Sequence, residues 1–326
     1  MTLILLAATA MAAAPAKSQV LPTVYEAGHF YAVPETPTGQ RMKLLVDTGG
    51  GGVGGLYWIT PEAAKRLNLK THTCHAHGAS MPMASAPAFK AGRGLPATDD
   101  PCPGIMLVEH SQGAMDGMLG SNYLGGRIWT FDYPTQRLVL NATPWHPVPG
   151  SHATPLGFQK NAAGKATRAF PRIVIKVDGQ PLDMLLDTGA TAHPTEAGRQ
   201  AAGTPTVDGT GVASYITTSQ LERWHKAHPD WRVVDQGDDL FPKHPVRLIE
   251  VPALEIAGWS VGPVWFTERQ DSSFHGMMAE LMDKPPEGAI GGNVLQHFVM
   301  TLDYPNATAY FQCGGACRSV TPPPVP

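Results

Sequence analysis

The chain has 326 residues, a formal net charge of −3 and only 16% charged side chains. With no basic block, nucleic acid is excluded as a natural partner, and 43% hydrophobic content excludes a disordered chain. Its 35 Gly and 31 Pro favour short strands and turns over long helices.

In chain order, residues 1–16 read as a secretory signal. An apolar run from Leu3 to Ala14 ends in the small-residue site Ala14-Pro15-Ala16 before Lys17. That run is too short to span a bilayer. The mature protein is therefore expected in the periplasm or secreted, off the membrane. Four cysteines fit an oxidising compartment and allow three pairings. Sequence neighbours favour Cys74–Cys102 and Cys313–Cys317.

The stretch LLVDTGGGGVGG (44–55) places a glycine-rich loop after an apolar strand. A phosphate loop needs a Gly-Lys-Ser/Thr ending, and none follows. A dinucleotide fingerprint forced onto Gly49, Gly51 and Gly54 fails as well, because a β-like run ending in Pro61 follows instead of a helix. PEAAKRLNL (61–69) reads as a short helix with Pro in its first turn. THTCHAH (71–77) is expected to be a solvated loop. As a strand it would put His72 and Cys74 on one face and His75 and His77 on the other, the basis of an alternative metal-binding reading. RIVIKVDGQPLDMLLD (172–187) reads as a hairpin about Asp178-Gly179. A helix opens at the capping box Ser219-Gln-Leu-Glu222. Another runs from Phe274 to Met282, with Phe274, Met277, Met278 and Leu281 on a core face. Trp224, Trp231, Trp259 and Trp265 are read as packing residues.

An internal repeat organises these pieces. GMLGSNYLGGRIWTFDYPTQRLVL (117–140) aligns without a gap to GAIGGNVLQHFVMTLDYPNATAYF (288–311), with eight of 24 positions identical. Upstream, GQRMKLLVDTGG (39–50) matches GQPLDMLLDTGA (179–190). Each copy runs strand, Asp-Thr-Gly, variable middle, apolar-apolar-Gly, strand, Asp-Tyr-Pro, strand. The second copy lost the extra glycines and kept Asp-Thr-Gly, so the aspartate turn is the shared feature. Two acids brought together about a two-fold axis can share one proton, giving a base and an acid without metal or covalent intermediate. Asp132 and Asp303, before their prolines, read as turn residues, and Tyr133 and Tyr304 as packing.

Asp47-Thr48-Gly49 and Asp187-Thr188-Gly189, with Met118-Leu119-Gly120 and Ala289-Ile290-Gly291, resemble the aspartic peptidases. The motif style is similar to retropepsins, the single-chain duplication to pepsins, and exported bacterial retropepsin-like proteins look closest. The resemblance covers most of residues 20–312. It implies an all-β, bilobal pepsin/retropepsin-like fold of double-ψ β-barrel lobes. Asp47 and Asp187 would be the catalytic pair, supported by Thr48, Gly49, Thr188 and Gly189, with a water between them and an extended peptide in a cleft. No cofactor or metal is implied, and one chain supplies both acids, so a monomer suffices. The chain departs from the pepsin pattern at Gly50 and Ala190, where a hydroxyl would support each carboxylate. A flap hairpin is not evident: FKAGRGLPA (89–97) has a turn but few apolar neighbours, and LEIAGWSVGPVWF (254–266) reads as an ordinary strand pair. The expected layout is a signal at 1–16, a first lobe at 17–145, a linker at 146–168, a second lobe at 169–312 and a tail at 313–326. The function expected is an aspartic endopeptidase. Its alternatives are a degenerate peptide-binding or scaffold protein, and a periplasmic metal-binding protein using His72, His75 and His77.

Overall fold

Short apolar runs broken by Gly and Pro cannot extend into long helices, and the chain is mainly β. The computed structural model describes residues 17–98, 100–109, 115–240 and 244–320. The signal read at 1–16 lies outside them. Among the described residues there are three large sheets and one two-stranded ribbon.

One eight-stranded sheet is built wholly from residues 23–119, and one ten-stranded sheet wholly from residues 172–319. These are two lobes of parallel design. In the first, Leu44–Val46 runs parallel to Gly117–Leu119, which is antiparallel to Trp58–Ile59. In the second, Gln180–Leu186 runs parallel to Gly288–Ile290, which is antiparallel to Ser214–Thr217. The repeat in sequence is thus a repeat in strand pairing. Much of the extra length of the second copy is the ribbon Thr191–Ala192 with Gly211–Val212, and the helix Glu196–Ala202 between them.

The third sheet joins the lobes. Its six strands run in the order Gln19–Val20, Arg137–Leu140, Ile128–Asp132, Phe298–Asp303, Thr308–Cys313, His152–Pro155. At its centre Thr130 pairs with Thr301, the same position of the repeat, and their hydroxyls lie 2.7 Å apart. The pseudo-two-fold axis passes there. The segment read as a linker contributes the strand His152–Pro155 to this sheet. The chief core cluster is continuous from Phe30, Trp129 and Phe131 to Phe298 and Phe311.

Asp178 and Gly179 take positive φ (50° and 73°) and close the expected hairpin between Arg172–Val177 and Gln180–Leu186. Both expected disulfides form. Asp132 and Asp303 accept bonds from the amides of Thr135 and Asn306, as turn residues do, and Tyr133 and Tyr304 are buried.

Three local readings are corrected. The helix Thr218–Ala227 is capped by Thr217, whose hydroxyl accepts from the Gln220 amide; Ser219 lies inside the first turn. The helix near residue 274 is a π-turn, Ser272–Met278, which keeps Phe274 and Met278 buried but swings Met277 to 63% exposure. Third, 71–77 is no loop. Thr71–Ala76 pairs along its whole length with Ala79–Ala84, a hairpin closed at His77-Gly78. Its outward Thr, His and Ser hide the apolar alternation that marks a strand, because only Met81, Met83 and Ala84 face inward.

Candidate active site

Each Asp-Thr-Gly turn hangs from its own lobe. The Asp47 amide donates to the Leu119 carbonyl (3.0 Å), and the Asp187 amide to Ile290 (2.8 Å). The apolar-apolar-Gly block is therefore the partner of the aspartate turn, which explains their joint appearance in each copy. The threonines tie the lobes together. Thr48 Oγ1 donates to the Leu186 carbonyl (2.6 Å) and accepts from the Thr188 amide (3.0 Å). Thr188 Oγ1 donates to the Val46 carbonyl (2.8 Å) and accepts from the Thr48 amide (3.1 Å). All four bonds are buried, two from each side of the axis.

This brings the carboxyls face to face and hydrogen-bonded to each other. Gly49 lies against the Asp187 carboxyl and Gly189 against Asp47, so near that a Cβ at either would collide with it. The Gly49 amide donates to Asp47 Oδ1 (2.8 Å), and the Gly189 amide to Asp187 Oδ1 (3.0 Å). The candidate residues Asp47, Thr48, Gly49, Asp187, Thr188 and Gly189 are thus gathered at one point.

Burial raises both carboxyls above the usual aspartate value. Asp187 rises further because the Asp47 charge faces it, whereas the hydrogen bond from Asp187 favours ionised Asp47. Amides of Gly49 and Gly50 pull Asp47 back, and those of Gly189 and Ala190 do so for Asp187. The missing hydroxyls at positions 50 and 190 are partly replaced by main-chain donors. Two carboxyls this close titrate as a unit, and between their two steps the pair holds one proton, which the Asp47 charge favours on Asp187.

Both carboxyls open onto a cavity of about 300 Å³. Leu45, Met115, Met118 and Tyr215 give it an apolar wall, and the Lys43–Glu26 ion pair, His193 and Asp208 also line it. The four tryptophans singled out from sequence do not line it.

Position 50 has a packing reason for glycine. A Cβ there would meet Met118 Sδ and come within 2.6 Å of Asp47 Oδ2. In the repeat alignment Met118 corresponds to Ala289, and Gly50 to Ala190. Volume has moved between the two positions. Gly50→Ala alone is expected to cost roughly 1–3 kcal/mol by overpacking. Adding Met118→Ala, which recreates the second lobe's pair, should recover most of it. Thermal unfolding of the two single variants and the double variant checks this; strictly additive losses would contradict it.

The hairpin at residues 71–84 stands between the aspartate turn and the apolar-apolar-Gly block, where sequence reading found no flap. It is tied to the rest of its lobe at two points. Cys74 is bonded to Cys102, and His77 Nε2 lies 3.1 Å from Asp100 Oδ2, which also accepts from the Gly55 amide (3.0 Å). None of its residues lines the cavity. The hairpin at 254–266 is a lobe strand pair, adding to Arg172–Val177. The metal-binding alternative is not supported by geometry. Cys74 is in a disulfide, and no group of three or more His, Cys, Asp or Glu able to hold a metal occurs among the described residues.

No family model matches the sequence, and no curated protein matches it as a relative. Solved structures similar to it include basic 7S globulin from soybean (11% identity, TM-score 0.45, covering 92% of this chain and 95% of that one). They also include an aspartic proteinase from Irpex lacteus (10%, 0.46, 92% and 98%). Conglutin gamma, a basic 7S globulin from lupine seeds, is a third (12%, 0.46, 92% and 95%). At such distance, what the chain does has to be argued from its own site.

Proposed function

We propose that this chain is an aspartic endopeptidase. One observation carries the reading: two buried carboxyls, hydrogen-bonded to each other across a pseudo-two-fold axis, open onto a cavity of about 300 Å³. A water held between them gives a proton to Asp47 as its oxygen attacks the scissile carbonyl carbon. Asp187 gives its proton to the carbonyl oxygen. As the tetrahedral species collapses and the C–N bond breaks, Asp47 returns its proton to the departing nitrogen. A hydroxyl proton of the collapsing species restores Asp187. The pair ends as it began, with one proton and no covalent intermediate. No cofactor takes part. The substrate is a peptide or protein, and one chain suffices because it supplies both acids. Two disulfides favour an exported protein, and no described helix is long and apolar enough to cross a membrane.

A second reading is a peptide-binding protein without turnover. The absence of any residue of the 71–84 hairpin from the cavity lining favours it. Casein and a peptide library incubated from about pH 3 to 7 separate the two: cleavage supports the peptidase, and binding without cleavage the alternative. Both carboxyls lie above the ordinary value of 3.8, so the singly protonated pair is most populated above that pH. The profile of kcat/KM should be bell-shaped with both limbs above 3.8. A maximum below about pH 3 would contradict it.

A further inference from the structure

His29 is a buried imidazole that the peptidase chemistry does not use. It begins the strand His29–Ala32 of the first lobe and is 1% exposed. The turn before it, Ala27-Gly28, has positive φ at both residues and reaches across to the second lobe. There Gly28 packs so closely on Val212 that a Cβ would approach its side chain to 2.6 Å. His29 Nε2 lies 3.4 Å from Thr191 Oγ1, and that hydroxyl donates to the Gly189 carbonyl (2.8 Å). Since the hydroxyl proton is committed to Gly189, the oxygen can only accept from His29, which fixes the Nε2–H tautomer. The ring also lies beside the main chain of Gly189 and Ala190, which favours its N–H. From its own lobe the same turn is held by Tyr215, whose hydroxyl accepts from the Thr191 amide (2.7 Å) and donates to the Thr191 carbonyl (2.6 Å), by the Ala213 amide donating to the Ala190 carbonyl (3.0 Å), and by the ribbon with Gly211–Val212.

The first lobe's aspartate turn has no such prop. Tyr31 stands opposite Leu45 as Arg172 does opposite the equivalent Leu185, so the place of His29 is taken in the second lobe by Phe170, which carries no polar group. The imidazole is therefore an asymmetric feature of a symmetric site. Burial pushes it down to about 4, so it stays neutral where the aspartate pair holds one proton. Nδ1 has no hydrogen-bond partner among the described residues, so protonating it would leave a buried N–H with no acceptor.

We propose that His29 is a positioning residue: reaching over from the first lobe, its neutral ring holds the 189–191 turn so that Asp187 meets Asp47 at the right distance. Its kinetic consequence rests on the peptidase reading; its structural consequence does not. The test compares His29→Leu, which removes the donor, with His29→Gln, whose amide nitrogen can reach the place of Nε2. In the full chain, His29→Leu should lower kcat on the order of tenfold to a hundredfold with KM within about twofold, and His29→Gln should recover most of the loss. Hydrogen exchange is read in parallel. His29→Leu should speed exchange of the Gly189 and Thr191 amides at least about tenfold and leave those of Gly49 and Gly50 unchanged; His29→Gln should not. Equal loss of protection in both lobes, or no difference between the two variants, overturns the proposal. A wild-type protein that cleaves nothing sinks the peptidase reading alone, because exchange still decides the role of His29.

Discussion

Asp47→Asn and Asp187→Asn should each lose peptide hydrolysis by on the order of 10³-fold or more, and should nevertheless unfold at a higher temperature than the wild type at pH 7. Loss of activity follows from the division of labour. Asn at 47 cannot accept the water proton, and Asn at 187 cannot give up a proton and regain it. Gain of stability follows from linkage. An unfolded aspartate ionises near 3.8, whereas burial raises both carboxyls in the folded chain. Between the unfolded and folded values the native state binds more protons, so stability falls as pH rises through that window. Removing the titrating group removes that loss, at about 1.4 kcal/mol for each unit of pKa. The gain should be greater for Asp187→Asn, because the Asp47 charge raises Asp187 further. Below pH 3.8 the gain should vanish, since both states are then protonated. Scanning calorimetry at pH 3 and pH 7 measures it; variants less stable than wild type at pH 7 would contradict the buried-pair account.

The second large effect belongs to the threonines. Thr48→Val keeps the shape of the side chain but strands the Leu186 carbonyl and the Thr188 amide; Thr188→Val strands the Val46 carbonyl and the Thr48 amide. Thr48 is 0% and Thr188 1% exposed, so water cannot replace these partners. At roughly 1–3 kcal/mol for each orphaned buried group, either variant should cost about 3 kcal/mol. Activity should fall with it, since the same bonds set the distance between the carboxyls. Thr48→Ser keeps the hydroxyl and should cost less than about 1 kcal/mol. Chemical denaturation of the three variants decides; equal stability of Thr48→Val and Thr48→Ser would show that these bonds do not hold the lobes together.

The features legible in the sequence were those carried by local chemistry. Asp-Thr-Gly occurs twice because each turn must bond its own apolar-apolar-Gly strand, and that pairing leaves a repeating order in the chain. The Asp178-Gly179 turn and the disulfides were legible for the same reason. What stayed hidden depends on partners far apart in sequence. Thr130 and Thr301 are unremarkable until the central sheet pairs them. Gly50 looks like a defect until Met118 is found in the space its side chain would take. His29 shows no motif, and only an unmatched imidazole at the second lobe's turn reveals it. The hairpin at 71–84 was missed because its solvent-facing His and Thr outnumber its few inward methionines.

The central claim is that Asp47 and Asp187 share a single proton. Carbon-13 NMR of the aspartate carboxyls, assigned through the two Asn variants and followed from pH 3 to pH 8, tests it most directly at about those limits. The account predicts two coupled steps, with one carboxyl keeping its proton far above 3.8, and a single simple step for the remaining carboxyl once its neighbour is Asn. Two carboxyls that ionise independently near 3.8, each unchanged by substitution of the other, would contradict it.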